Sequence, residues 1–262
     1  MRIQNKFSQL KTNRSKGFIP FITAGDPDLE KTKGLIFALS RIDSTVIELG
    51  VPFSDPMADG VVIQKASERA LKNNFGIAEI FDLVKDVRKE TQVPIILFSY
   101  FNPLLQYGLE KLCDDAKDAG VDGFLVTDLV PEEAEDFSNL LKKHDLDMIF
   151  LIAPTSSDER LKMVAERASG FIYAVSRTGV TGARETTSQS AEILVNRMRQ
   201  FSDLPIAVGF GISTADQVAE TWKYADAAVV GSAIVREIEK FGSDEKLVEK
   251  IEDFAGNLLP KN

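Results

Sequence analysis

The chain of 262 residues has a single cysteine, a single histidine and a single tryptophan, and its apolar runs are no longer than a strand. Each scarcity excludes something. Cys113 has no second thiol for an internal disulfide, and its place in the helix-like stretch 110–119 makes it a packing residue. With His144 alone, neither a histidine-based metal cluster nor a Ser-His-Asp arrangement can be assembled, so no metal is expected. His144 follows Lys142 and Lys143 at the end of a helix-like run, where cations complement the helix dipole. The apolar runs fall short of the roughly 20 residues that a membrane span needs, so no membrane association is expected. The polar, mixed-charge opening stretch 1–14 lacks the apolar segment of a secretory signal, the pattern of a cytoplasmic protein. No Ser-, Gly- or Pro-rich linker divides the chain, which reads as one domain spanning 1–262. The 40 acidic residues outnumber 31 basic ones for a net charge of −9, and no Lys/Arg stripe stands out, which argues against nucleic acid as a partner. An anionic ligand would have to be held by backbone donors or helix N-termini against the overall field.

What is present is a repeat of short apolar runs with helical patterns between them. The runs cover 17–23, 45–50, 94–100, 123–128, 147–153, 170–176, 204–209 and 225–231. Eight such alternations predict an α/β fold, a (β/α)8 TIM barrel with an extra N-terminal helix over 3–10. An open doubly wound sheet is the competing architecture, but Gly25-Asp26-Pro27 after the first run is a turn and not a dinucleotide fingerprint. Helix starts are expected at Asp26 with Pro27, at Ser156 with Glu159, at Ser213 with Asp216, and at Pro131. Further helical runs are expected over 77–91 and 244–258, and Trp222 is read as packing.

In such a barrel the site lies at the C-terminal ends of the strands. Glu48 follows the β-branched run Thr45-Val46-Ile47, which places a carboxylate on a strand buried on both faces. Unpaired there, its pKa would rise, as a general acid/base requires; satisfied by backbone donors at a strand end, it would be structural. Asp59 lies on the loop behind it. The glycines of 209–213 and 231–235 follow the last two strands, where free N–H groups can cradle a phosphate or where glycine can simply pack. The long polar loop 176–188 has the length of a lid, which would add Gly182 to that cradle, or it is a surface loop. Period-two alternation pairs Phe98 with Tyr100, Leu125 with Thr127 and Tyr173 with Val175, which with Phe21, Ile152 and Phe210 could line an aromatic cavity.

Five segments, 20–27, 48–60, 128–133, 176–182 and 209–213, together resemble the alpha subunit of tryptophan synthase, most specifically Glu-Leu-Gly-Val-Pro-Phe-Ser-Asp-Pro-Met-Ala-Asp-Gly over 48–60. The resemblance runs nearly the whole length of the chain. It implies retro-aldol cleavage of indole-3-glycerol phosphate to indole and glyceraldehyde 3-phosphate in tryptophan biosynthesis. It assigns proton transfer to Glu48 and the indole N–H to Asp59, with Thr181 orienting Asp59 when the lid closes. Phosphate donors would be Gly182, Gly211, Gly231 and Ser232, and the indole walls Phe21, Tyr100, Leu125, Tyr173 and Phe210. Pro52, Asp55, Asn102, Asp128 and Pro131 would face a beta subunit in a heterotetramer of two alpha and two beta chains. No cofactor is implied for this chain, pyridoxal phosphate being expected only in the beta subunit. Val61 and Val130 stand where the family often has proline, and Thr127 adds a hydroxyl to the indole wall. Two other readings stay open: a free-standing lyase, and a non-catalytic regulatory subunit that senses the phosphate ligand.

Overall fold

A computed structural model describes residues 1–175, 184–209 and 211–260, with the backbone alone over 184–188. Nine parallel strand segments form one sheet: β1 Gly17–Thr23, β2 Ile47–Gly50, β3 Ile95–Ser99, β4 Gly123–Val126, β5 Asp147–Ile149, β6 Leu151–Ile152, β7 Ile172–Val175, β8 Ile206–Gly209 and β9 Ala227–Val230. Their order is β5-β4-β3-β2-β1-β9-β8-β7-β6. The two ends of that order, β5 and β6, are consecutive in the chain and separated only by Phe150. The sheet therefore curls into the eightfold barrel that the alternation predicts, with one strand interrupted.

Two separate cores follow from period-two alternation on strands buried on both faces. Ile19, Val46, Ile96, Leu125, Ile149, Tyr173, Ala207 and Val229 fill the barrel interior. Ile22, Ile47, Leu49, Leu97, Phe124, Ile172 and Val208 point the other way, into the layer between strands and helices. Parity carries through the interruption, so Leu151 faces inward. Ile152 faces the helices and drops out of the expected aromatic cavity. The floor of the barrel is closed by the N-terminal helix Arg2–Asn13, whose buried Ile3 and Phe7 enter the interior core. Phe7 packs on Phe171 at 5.9 Å between ring centroids.

Several helix starts differ from the sequence expectation by one or two residues. Asp26 caps nothing. It is 1 % exposed and takes both oxygens to Arg69, at 2.8 Å each, and Arg69 also meets Glu239 at 3.1 Å. A buried carboxylate with such a partner is not free to cap, and Asp28 receives Lys31 N instead. Ser156 accepts from Ala153 N, leaving the cap of the next helix to Ser157. Thr214, and not Ser213, accepts from Gln217 N. Pro131–Glu133 makes a short 3₁₀ turn before the helix Glu135–Lys143. Cys113 is buried within the helix Leu109–Ala119, as packing predicts. Trp222 ends the helix Ala215–Trp222, and its indole N–H donates to Gly17 O at 2.8 Å. Among the described residues no helix is long and apolar enough to cross a membrane.

Candidate active site

Glu48 lies in the middle of β2 and points into the barrel, because Ile47 and Leu49 on either side belong to the outer core. It is 1 % exposed, and its Oε1 has no hydrogen-bond partner among the described residues. Burial without a compensating donor drives its pKa well above the usual carboxylate range. The structural alternative, a carboxylate satisfied by backbone donors at a strand end, gets no support from that unpaired oxygen. Across the interior stands Tyr173, whose hydroxyl pKa is pushed up by burial and then by the charge that Glu48 can carry. Room for Tyr173 comes from Gly209 on the neighbouring strand: a Cβ there would lie 2.0 Å from the phenol oxygen.

Asp59 reaches the same mouth from the loop after β2, just before Gly60 caps the helix Val61–Leu71. Gln64 secures this corner by donating to Asp59 O at 2.9 Å. The carboxyl pKa is raised to about 6 by burial, an effect that a hydrogen bond from the Tyr100 hydroxyl partly offsets. Tyr100 in turn accepts from Ala58 N at 2.9 Å and has the Thr127 hydroxyl beside it. Burial, then the Asp59 charge, pushes the Tyr100 pKa up to about 12, so it stays protonated and remains a donor.

Phe21 connects the two acids. It is the register partner of Glu48 across the β1–β2 ladder, and it lines the small cavity beside Asp59. Its ring lies over Gly50, where a Cβ would fall 2.6 Å from Phe21 Cζ, and meets Phe98 edge-on at 5.2 Å between centroids. Leu125 and Tyr173 extend the apolar surface within the interior core. The structure thus gathers Glu48, Asp59, Phe21, Tyr100, Leu125 and Tyr173 at one end of the barrel. Tyr100 contributes more than a wall, since its hydroxyl holds Asp59. The chain alone gave no sign of that bond, because Asp59 and Tyr100 are 41 positions apart.

Beside Phe21, at the end of β9, Gly231 caps the helix Ser232–Phe241, whose first turn carries no acid. Ser232 is exposed, and Gly211 has φ +80°, a conformation suited to glycine. These are backbone features that can receive an oxyanion. Only the second of the two glycine loops opens directly into a helix; residues 210–213 and the Thr214 cap intervene in the first. Thr181, Gly182 and Phe210 lie outside the described residues.

Around the rim Asp55, Asn102 and Asp128 are exposed, whereas Pro52 and Pro131 are buried and support the rim from beneath. Asp128 also accepts from Phe101 N at 2.7 Å, fixing the turn into the helix Phe101–Tyr107. Met57 and Val61 are 93 % and 65 % exposed on the same rim. A cavity of about 510 Å³ runs from the inward residues Thr127, Leu151 and Val175 to Val130 and Pro131 at this edge.

Residues 7–260 match the model of a family described as tryptophan synthase alpha chain. The tryptophan synthase alpha chain of Solibacter usitatus is 48 % identical over 257 residues, covering 98 % of this chain and 96 % of that one. The crystal structure of tryptophan synthase subunit alpha from Legionella pneumophila superposes with a TM-score of 0.91 at 36 % identity, covering 98 % and 96 %. A chain from the tryptophan synthase a2b2 complex of Pyrococcus furiosus gives 0.86 at 40 % identity, covering 92 % and 97 %.

Proposed function

The chain belongs to the tryptophan synthase alpha chain family, lyases that cleave indole-3-glycerol phosphate, and we propose that Glu48 and Asp59 divide the proton chemistry of that cleavage. The observation that carries the proposal is the contrast between the two acids. Glu48 is buried with one unpaired oxygen, and burial drives its pKa well above the usual carboxylate range, which favours the protonated form. Asp59, with a pKa of about 6 and a hydroxyl donor, is ionised at neutral pH. Opposed environments of this kind separate an acid from a base.

Glu48 gives its proton to C3 of the indole ring, and the positive charge that develops on the ring is held through N1–H by the Asp59 carboxylate. Glu48, now a carboxylate, takes the proton of the glycerol hydroxyl next to the ring. The bond between C3 and that carbon breaks, its electron pair returns to the ring, and the aldehyde of glyceraldehyde 3-phosphate forms. Glu48 ends protonated as it began. This cycle closes in protons and electrons without a cofactor in this chain, and the residues nearest its charges are Tyr100 and Tyr173. Gly211, Gly231 and Ser232, with Gly182 beyond the described residues, hold the phosphate through backbone amides, which an acidic protein can offer where lysines would be few.

The same reading extends to a partner. Met57 and Val61 exposed beside Asp55, Asn102 and Asp128 make an apolar rim with polar neighbours, the character of a docking surface. A beta subunit seated there, carrying the pyridoxal phosphate of the second reaction, would receive indole directly, with two alpha and two beta chains in the assembly. Indole release by the purified chain, measured with and without a beta subunit, tests the whole. Turnover stimulated by the partner supports the proposal. Full turnover alone favours a free-standing lyase, and none in either condition favours a phosphate-sensing subunit. Glu48→Gln should abolish cleavage while ligand affinity persists; normal turnover would remove Glu48 from the mechanism.

A further inference from the structure

The turn after β1 and two of the helices that begin at the site are joined by one side chain. The helix Val61–Leu71 starts two residues after Asp59, and its Gln64 donates to Asp59 O at 2.9 Å, so the acid moves with that helix. The helix Ser232–Phe241 starts at the phosphate donors Gly231 and Ser232. The two helices pack through Val62, Ile63, Ala66 and Val235, with Phe21 in the same cluster. About two turns in from both starts, Arg69 meets Glu239 at 3.1 Å. Among the described residues this is the one ion pair between the two helices. The remaining nitrogens of the same guanidinium take both oxygens of the buried Asp26 at 2.8 Å each. Nε, Nη1 and Nη2 of one planar fork are then all engaged, which a lysine cannot reproduce.

We propose that Arg69 is a positioning residue that fixes the Asp59 corner relative to the phosphate cradle, so that binding of the phosphate helps to set Asp59 for the cleavage. The inference rests on the readings of Asp59 as the group that holds the indole N–H and of Gly231 and Ser232 as phosphate donors. Asp26 is the anchor. It lies in a turn that Asn73 clamps from beyond the end of the helix Val61–Leu71, donating to Gly25 O at 3.0 Å and Pro27 O at 2.7 Å. A Cβ on Gly25 would fall 2.1 Å from Phe75 Cε1, so the turn is tightly packed as well. Stability does not account for the third contact of Arg69. Asp26 is already paired twice, whereas the Glu239 side chain is 40 % exposed, and an ion pair with so exposed a partner contributes little to folding. Its effect is geometric. Different helices hold the phosphate and the acid that meets the ring, and a relative shift of about 1 Å takes the N–H off the carboxylate. Binding energy at a remote phosphate raises kcat only when it is passed to the reacting end in some such way.

The test measures kcat and KM of the full chain with indole-3-glycerol phosphate and with indole-3-glycerol, which lacks the phosphate, in the parent, Glu239→Ala and Glu239→Gln. Glu239→Ala leaves the pair of Arg69 with Asp26 intact, so the chain still folds and Tm should stay within about 2 °C of the parent. Its kcat for the phosphorylated substrate should fall roughly fivefold to tenfold with KM within about twofold. Its kcat for indole-3-glycerol, which draws nothing from the phosphate cradle, should stay within about twofold. Glu239→Gln keeps an oxygen that accepts from Arg69 and should recover most of the lost rate. An equal fall with both substrates, or an unchanged kcat with the phosphorylated one, would overturn the inference. Two further variants check the readings beneath it. Ser232→Asp sets a negative charge at the helix N-terminus and should raise KM for the phosphorylated substrate about tenfold, and Asp59→Asn should be inactive. If both behave so while Glu239→Ala matches the parent, this inference alone fails. If Ser232→Asp keeps the parent KM, or Asp59→Asn keeps its turnover, the reading concerned fails and takes this inference with it.

Discussion

Replacing Tyr100 by Phe removes one oxygen and leaves the ring that packs on Phe53, with centroids 5.3 Å apart. That oxygen accepts from Ala58 N and donates to Asp59. Its loss acts on the acid in one direction. The hydrogen bond favours the carboxylate, so removing it raises the Asp59 pKa above about 6, while the burial that already raises it stays. A hydrogen bond to a charged group contributes about 1.5–3 kcal/mol, and each pKa unit corresponds to about 1.4 kcal/mol. The shift should therefore be roughly one to two units. Because Asp59 must be ionised to hold the ring charge, activity is lost as pH falls through its pKa. The acid limb of the kcat profile should move to about pH 7–8. Indole release followed from pH 5 to 9 measures the movement of that limb. A Tyr100→Phe profile superimposable on the parent would refute the reasoning, and a fall of equal size at every pH would assign Tyr100 to packing alone.

Gly209→Ala would place a Cβ 2.0 Å from the Tyr173 hydroxyl, so the ring must leave its position beside Glu48; kcat should fall by more than tenfold, and a parent-like rate would show that the interior is looser than described. Arg69→Ala strands the buried Asp26 carboxylate and should destabilise the fold by about 3–5 kcal/mol in urea unfolding, with Arg69→Lys intermediate because it cannot bond both oxygens in the same plane. Asp147 at the barrel floor has its pKa raised to about 6 by burial, only partly relieved by Ser169, and its Oδ1 has no partner among the described residues. A raised acid pKa in the folded state favours the protonated form, so this group destabilises the protein progressively as pH rises from about 4 through 6, by about 3 kcal/mol once both states are ionised. Asp147→Asn should remove that dependence, and an unaltered difference in unfolding free energy between pH 4.5 and pH 8 would contradict it.

The elements that were legible in the chain are those whose signal is local. A β-branched run ending in Glu48 marks a carboxylate on a buried strand, and the eight apolar runs carry the barrel because parallel strands are buried on both faces. Parity was readable too, yet Ile152 was set on the wrong face: counting from Ile149 through Leu151 puts it outward. The caps slipped where two candidates stand side by side, as Ser156 and Ser157 do, since either hydroxyl has the right chemistry. Asp26 was misread for a different reason. Its partner Arg69 is 43 residues away, and nothing local distinguishes a capping aspartate from one committed to a distant guanidinium. The link from Tyr100 to Asp59 was out of reach for the same cause, because it joins the loop after β2 to a residue just beyond β3, 41 positions away.

The account depends most on Glu48 keeping its proton at neutral pH while Asp59 gives its own up. Infrared difference spectroscopy of the parent against Glu48→Gln, recorded from pH 5 to 9, observes this without turnover. The expected result is a protonated-carboxyl band at pH 7 that is missing from the variant, while Asp59→Asn removes a carboxylate signal that titrates near pH 6. A carboxylate signature for Glu48 at pH 7 would contradict the division of labour between the two acids.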